Sequence, residues 1–301
     1  MSSQLSNISS DPLIYEFWAG ASTRTARPVA KFLAPEVLVQ TAVGHYKKRG
    51  KDSRLPLGNF ARDIGGDAAL AGLSYQDEPY DCQPYAMDHI VDKALGDDVA
   101  PLVKAAITSV ANIAAEDTER RVIRTAIAAA GAGTGEVFTG NDPVAIIDTA
   151  ILALIKSAKS QDIGMCFDPL GWGLFKNNPN VIARCKGDVS FQSCPNLFHG
   201  GAEFQTAYAF FDAEPSGPEN IEFVMPANTV LIFARSFQNS QDDPSAMKTL
   251  RLDPSVFEAV TKRPPIAAVE TTDGRKIRVV CDWSEQIVVA NEAGFTRFNV
   301  S

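Results

Sequence analysis

Residues 98–130 constrain the fold more than any other stretch of the chain. Apolar side chains at Val99, Leu102, Val103, Ala106, Ile107, Val110, Ile113 and Ala114 recur at spacings of three and four, and the pattern resumes at Val122, Ile123 and Ile127. That spacing gathers them on one stripe of an α-helix. Asp98 is placed to accept from the free amides of the first turn. Pro101 falls in the same turn, where a missing N–H costs nothing. Gly131, Gly133 and Gly135 follow the last alanines, and glycine leaves a helix through left-handed angles most cheaply. At 1.5 Å per residue the rod would span about 50 Å, well past the usual three or four turns. A helix of that length predicts an element that bridges parts of a structure.

The rest of the chain has room for a core. Its 301 residues are 45% hydrophobic with both charge signs mixed, enough for one large or two modest domains. A net charge of -8 argues against adhesion to nucleic acid or to an anionic membrane, both of which need a basic footprint. The first eleven residues lack the basic and apolar segments of a secretory signal, and no run of eighteen apolar residues occurs, so export and membrane insertion are not expected. Cys82, Cys166, Cys185, Cys194 and Cys281 are odd in number and scattered, which favours reduced thiols in a cytosolic setting.

In chain order, residues 2–10 form a polar tail with little to bury. Residues 11–35 carry Leu13, Phe17, Trp18, Val29 and Phe32 without sustained period, as an arm that packs on something else would. Residues 37–43 read as a strand, followed by a basic segment and a polar excursion through residue 72; loops of that length are usually functional or bound to a partner. Residues 73–91 alternate near period two and predict one extended strand, able to pair with residues 37–43 as a long two-stranded arm. Asp142 and Pro143 start a second amphipathic helix to about residue 160. A buried strand over 163–167 and short helices on either side of Asn177-Asn178-Pro179 follow. Later come an apolar strand at 229–234, a mixed stretch at 250–260, strands at 266–271 and 276–281 about the Asp273-Gly274 hairpin signal, and strands at 286–290 and 295–300.

Few residues suggest chemistry. The glycines after the long helix could cradle a phosphate, but they leave a helix instead of a strand and no Gly-Lys-Ser or Gly-Lys-Thr follows. Cys166 with His199 could be a thiol and its base, and Cys185, Cys194 and His199 could be metal ligands. No Cys-x-x-Cys pair and only three histidines exist, and Cys166 lies in an apolar run where a buried thiol is the default. Nothing calls for a cofactor or metal. Glu116, Asp117 and Glu119 interleave with Arg120, Arg121 and Arg124, a solvated or intersubunit face with i,i+4 pairs such as Glu116 to Arg120. Lys47, Lys48, Arg49 and Lys51 are the one strong local charge excess. They read as an exposed loop tip, as a patch docking on an acidic surface such as another copy of this chain, or as a nucleic-acid contact.

Four stretches, in this order, resemble the tailed-bacteriophage major capsid proteins of the Hong Kong 97-type fold. Residues 80–88 (YDCQPYAMD) with Val91-Asp92 resemble the strand leading from the extended loop into the spine helix. Residues 116–122 (EDTERRV) resemble the charged centre of that helix. Residues 172–182 (WGLFKNNPNVI) are similar to the helix-Asn-Pro-helix element of the axial domain, and residues 290–300 to the C-terminal strand.

The resemblance implies an α+β fold with an N-terminal arm (1–36), an extended β-hairpin loop (37–90) and a peripheral domain (91–140) holding the spine helix (98–130). An axial α/β domain (141–240) and peripheral-domain strands with the C-terminal strand (241–301) complete it. It further implies a structural, non-enzymatic protein that assembles with itself into hexamers and pentamers of an icosahedral head around double-stranded DNA. That DNA would be packaged without sequence-specific binding, and the head assembled in the host cytoplasm. Scaffolding and portal proteins, and a decoration protein, are the implied partners; no membrane is. The long N-terminal scaffolding segment of many members is lacking, which implies a separate scaffold or prior processing. No motif carries over the lysine and asparagine that cross-link some members.

Lys47, Lys48, Arg49, Lys51, Glu116, Glu119, Arg120, Arg121 and Arg124 are the candidate intersubunit contacts. A tail and arm without a core, and a long two-stranded excursion, make sense if neighbouring copies bury them. Two alternatives stand beside this reading: an encapsulin-like nanocompartment shell, and an α/β enzyme using Cys166 and His199.

Overall fold

A computed structural model of the chain describes residues 29–49, 75–95, 99–187, 189–190, 193–213, 220–235, 245–261, 265–271 and 274–301. The polar tail, most of the arm, the polar excursion with Lys51, and the residues Asp98 and Asp273 lie outside them. Within them the chain opens with α1 (Val29–Leu33) and β1 (Glu36–Val39), then β2 (Val43–Arg49), β3 (Tyr75–Asp81) and β4 (Gln83–Asp92). The long helix is α2 (Ala100–Ala130). After it come β5 (Thr134–Glu136), α3 (Pro143–Ala158), β6 (Ile163–Phe167), α4 (Pro169–Lys176) and α5 (Pro179–Arg184). The chain closes with β7 (Glu203–Thr206), β8 (Phe210–Asp212), β9 (Ile221–Phe223), β10 (Thr229–Ala234), β11 (Met247–Leu252), α6 (Pro254–Thr261), β12 (Ile266–Glu270), β13 (Lys276–Val289) and β14 (Phe295–Val300).

Two five-stranded sheets organise these elements. One has the order β1-β11-β13-β12, with β4 also paired to β13; the other has the order β5-β14-β10-β6-β7. Two ribbons, β2–β3 and β8–β9, belong to neither. The second sheet is the denser. β6 and β10 are buried along their whole length, as expected of strands covered on both faces. Phe167 touches Trp172, Phe175 and Phe204 at ring-centroid distances of 5.5–5.7 Å. Gly164 is needed at its place in β6: a Cβ there would lie 2.7 Å from the Phe233 ring and 3.2 Å from that of Phe32. Those two rings meet edge to face at 5.4 Å.

The predicted helix starts within two residues of expectation. Val99 holds the N-cap position without a side-chain bond, Pro101 lies in the first turn, and Gly131 leaves with φ 69° as its N–H donates to the Ala128 carbonyl. Its two halves serve different cores. Val103, Ala106, Ile107 and Val110 pack with Val91, Ile277 and Val279 of the first sheet, whereas Val122, Ile123 and Ala126 enter the aromatic core of the second. Ile113, expected on the stripe, is 41% exposed, and Ala111 is buried instead.

Several boundaries differ from the sequence reading, each for a local reason. The strand expected over 37–43 is broken: β1 pairs in parallel with β11, and the chain turns at residues 40–42 before β2 departs as a ribbon. The strand expected over 73–91 is likewise two. Cys82 sits at the joint, its N–H donating to the Ala42 carbonyl, so β3 follows the ribbon while β4 joins β13 over ten residue pairs. The strands expected at 276–281 and 286–290 are one, β13, and its polar middle is kept in the sheet by ion pairs described below. Residues 250–260 resolve into the end of β11 and α6. The last part of the expected arm packs on its own chain, because Val29, Phe32, Leu33 and Ala34 are buried in the aromatic core.

The punctuation of residues 142–184 is as the side chains dictate. Asp142 caps α3 through the Val144 N–H. The buried Asp168 carboxylate accepts from Leu170 and Gly171 at the start of α4 and from Thr229 at the start of β10. Asn178 accepts from Asn180 to cap α5 and donates to the Phe138 carbonyl at 2.7 Å, so the Asn-Pro step also anchors the exit of the long helix.

Candidate functional site

The charged middle of α2 divides into an inner and an outer face. On the inner face the Glu285 carboxylate, with no exposed surface, accepts from Thr118 Oγ1 at 2.9 Å, Arg121 Nη2 at 2.5 Å, and Arg251 Nη2 and Nε at 2.5 and 3.1 Å. Arg251 also pairs with Glu36 at 3.0 Å, and Arg121 lies 4.0 Å above the Tyr85 ring. Burial alone would raise the Glu285 pKa, but the Arg251 and Arg121 charges outweigh it and hold the carboxyl below its ordinary value. Arg121 is therefore an internal strut tying the helix to β13 and, through Glu285, to β11. Arg124 stacks on Phe211 at 4.9 Å. On the outer face Glu116 and Arg120 form the i,i+4 pair expected, at 3.8 Å, of small energetic worth at the surface.

Glu119 has a third environment. It lines a cleft of about 490 Å³ between α1, α2, β11, α6 and β13, whose wall is largely apolar, with Ala111, Ala115, Phe257 and Trp283 among its members. Burial, followed by the nearby Glu116 charge, raises its carboxyl to about 7. The thiol of Cys281, also on this wall, is pushed up to about 12 by burial, which removes it as a nucleophile near neutral pH.

The described part of the basic segment, through Arg49, is the strand β2, and the side chains of residues 43–48 alternate. Tyr46 and Lys48 face inward: Lys48 Nζ reaches Glu292 at 2.9 Å and Glu78 at 3.8 Å, and the Glu292 bond helps to raise its pKa. Val43, His45 and Lys47 point the other way and are exposed, Val43 by 65%. Arg49 ends the strand.

The ribbon β8–β9 was missed by the sequence reading, which took its surroundings as a proline-punctuated, glycine-rich region. Its register pairs Phe210 with Phe223 and Asp212 with Ile221, so these four share one face. Phe210, Ile221 and Phe223 are 54, 50 and 48% exposed, while Phe211 on the other face packs on the aromatic core. The available signal was the apolar run of residues 208–211 facing the short apolar-polar-apolar segment of residues 221–223.

Of the suggested chemistry, no enzyme pair forms. Cys166 is fully buried in β6 and its thiol is held well above its usual value by burial, whereas His199 is exposed on a short turn. No hydrogen bond joins them, because the β6 side chain points into the sheet's core. Cys185 and Cys194, however, are brought together, with sulfurs 3.8 Å apart. Among the described residues no group of three His, Cys, Asp or Glu side chains could hold a metal ion, and no helix is long and apolar enough to cross a membrane.

No protein-family model matches the sequence, and no curated protein matches it. Solved structures do. The chain is similar to a phage-related protein from Bordetella bronchiseptica RB50, with a TM-score of 0.72 at 17% identity over 96% of both chains. It is similar to the bacteriophage PhiM1 mature capsid, at TM-score 0.56 and 9% identity over 92% of this chain and 88% of that one. It is also similar to a virus-like particle from Pyrococcus furiosus, at TM-score 0.54 and 10% identity over 94% and 96%. At these identities the likeness is one of fold, and that α+β fold is the tailed-phage capsid fold of the Hong Kong 97 type.

Proposed function

We propose that the chain is the major capsid protein of a tailed phage, a structural subunit whose chemistry is association. The observation that carries this reading is a capsid fold matched over nearly the full chain, combined with ribbons that present apolar side chains to solvent. β8–β9 offers Phe210, Ile221 and Phe223, and Val43 is bare on β2. Unpaired strand edges and bare apolar faces are liabilities in a monomer and interfaces in an assembly. In this reading β2–β3 with the segment it encloses is the extended loop. The first sheet, including β1 and β4 from the expected loop range 37–90, would form the peripheral domain with the N-terminal half of α2; the second sheet, including β5 and β14 from the expected peripheral ranges 91–140 and 241–301, would form the axial domain. Hexamers and pentamers would close a head around double-stranded DNA in the host cytoplasm, with scaffolding, portal and decoration proteins as partners. The net charge of -8 would keep packaged DNA from adhering to the wall.

The test is particle size. Purified chain, alone and co-expressed with its scaffolding protein, should give closed particles by negative-stain microscopy and light scattering; a monomer under every condition would overturn the proposal. Charge reversal at Lys47, Arg49 and Lys51, leaving the internally paired Lys48 in place, should impair assembly while the subunit keeps its far-ultraviolet spectrum, and normal shells from that variant would remove the segment from the interface. The likeness to the Pyrococcus furiosus particle supports a second reading, a nanocompartment shell. Particles that hold protein cargo and no DNA would favour it.

A further inference from the structure

Cys185 and Cys194 are nine positions apart, and the fold holds both in place. Cys185 ends α5, where its N–H donates to the Val181 carbonyl at 3.0 Å; Cys194 begins a 3-10 turn, with its N–H on the Ser190 carbonyl at 3.1 Å. Ser190 and Ser193 exchange two further bonds, backbone N–H to hydroxyl oxygen, at 3.0 and 3.2 Å, so the approach to Cys194 is pinned on its own side. The two sulfurs are 3.8 Å apart, Cys194 buried and Cys185 half-buried. A disulfide needs about 2.05 Å, so the two sulfurs, now 3.8 Å apart, must close by roughly 1.8 Å. Cys82, Cys166 and Cys281 are all buried, and neither Cys82 nor Cys281 packs in the cluster that holds this pair.

We propose that Cys185 and Cys194 form a two-electron oxidation site, a dithiol that closes to a disulfide with a small-molecule disulfide such as oxidised glutathione and so latches the end of α5 to the turn at residues 194–197. Cys185, the more accessible, attacks first: its thiolate forms a bond to one sulfur of the small disulfide and expels the other as thiolate. The Cys194 sulfur then attacks Cys185 Sγ and releases the second small thiol. The protein loses two electrons and two protons, and one small disulfide becomes two thiols. Burial, then the neighbouring Cys185, pushes the Cys194 thiol up to about 12, so the second step is slow near neutral pH and quickens as pH rises. The inference does not depend on the shell reading, since it concerns contacts within one chain.

The full-length chain is incubated with excess oxidised glutathione at pH 7 and pH 8.5, quenched in acid, and read by intact mass and non-reducing peptide mapping. The expected result is a loss of about 2 Da, one linked peptide containing Cys185 and Cys194, faster closure at the higher pH, and a melting temperature raised by a few degrees. Cys194→Ser should stop at a mixed disulfide on Cys185. Unchanged mass, a lasting mixed disulfide in the wild-type chain, or a link involving Cys82, Cys166 or Cys281 would overturn the proposal. Because the wild-type map decides by itself, a variant that failed to fold would leave the test intact.

Discussion

The aromatic core around β6 and β10 and the ribbon β8–β9 are built from the same kind of residue with opposite outcomes. Phe167, Phe175 and Phe233 are enclosed by their own chain, so their burial stabilises the subunit. Phe210 and Phe223 stand half-exposed on the outer face of a ribbon of three-residue strands, whose other face already rests on the core through Phe211. One region explains why the subunit folds. The other leaves apolar side chains that the chain itself does not cover. α2 acts as the rigid connection between the first-sheet core and the aromatic core, one half in each, with the Glu285 network at its middle.

This contrast can be sharpened by substitutions, in order of falling effect on the subunit. Phe167→Ala should cost about 4 kcal/mol of unfolding free energy by denaturant titration, from lost burial and a residual cavity; a loss below about 1 kcal/mol would mean that the core is not closed there. Glu285→Gln should cost about 3 kcal/mol, because Arg121 and Arg251 are left without their shared counter-ion. The same group sets an acid limit. Its folded pKa lies below the ordinary carboxylate value, so its contribution is present above about pH 4.5 and is lost as pH falls through the folded value. A stability curve that is flat from pH 5 to 3 would contradict this.

Glu119 has the opposite sign. With its pKa raised to about 7, the folded chain binds the extra proton between about pH 4.5 and 7, so the contribution is full below that window and lost as pH rises through it. Glu119→Gln should remove this slope and stabilise the subunit at pH 8 by about 1 kcal/mol after allowance for solvent screening. Phe210→Ser with Phe223→Ser should change subunit stability least, within about 0.5 kcal/mol. A large loss would assign the ribbon to the core and erase the contrast.

The long helix, the Asp142 cap and the buried β6 and β10 were legible because each rests on local signals: period, cap chemistry, or an unbroken apolar run. β13 was not. Its middle, Asp282 to Glu285, looks like a turn until Arg121 and Arg251, distant in sequence, arrive to neutralise Glu285. The same non-local fact made Arg121 look like a surface charge. The break between β3 and β4 was hidden because alternation continues through Cys82, and only the paired strands decide which sheet each half joins. Lys47, Lys48 and Arg49 were legible as a local charge excess, but not that the chain itself would engage Lys48. Lys48 is tied by Glu292, a residue 244 positions away that no local pattern could reveal, and the exposed ribbon lay in a segment whose prolines and glycines masked its alternation.

The most direct measurement is sedimentation velocity on wild-type chain and on the Phe210→Ser, Phe223→Ser variant, each expressed under the same conditions and each checked for an unchanged melting curve. The account predicts fast-sedimenting closed particles for the wild type and a folded, slowly sedimenting subunit for the variant. Particles of equal size and yield from both would contradict the claim that the exposed ribbon is an assembly surface.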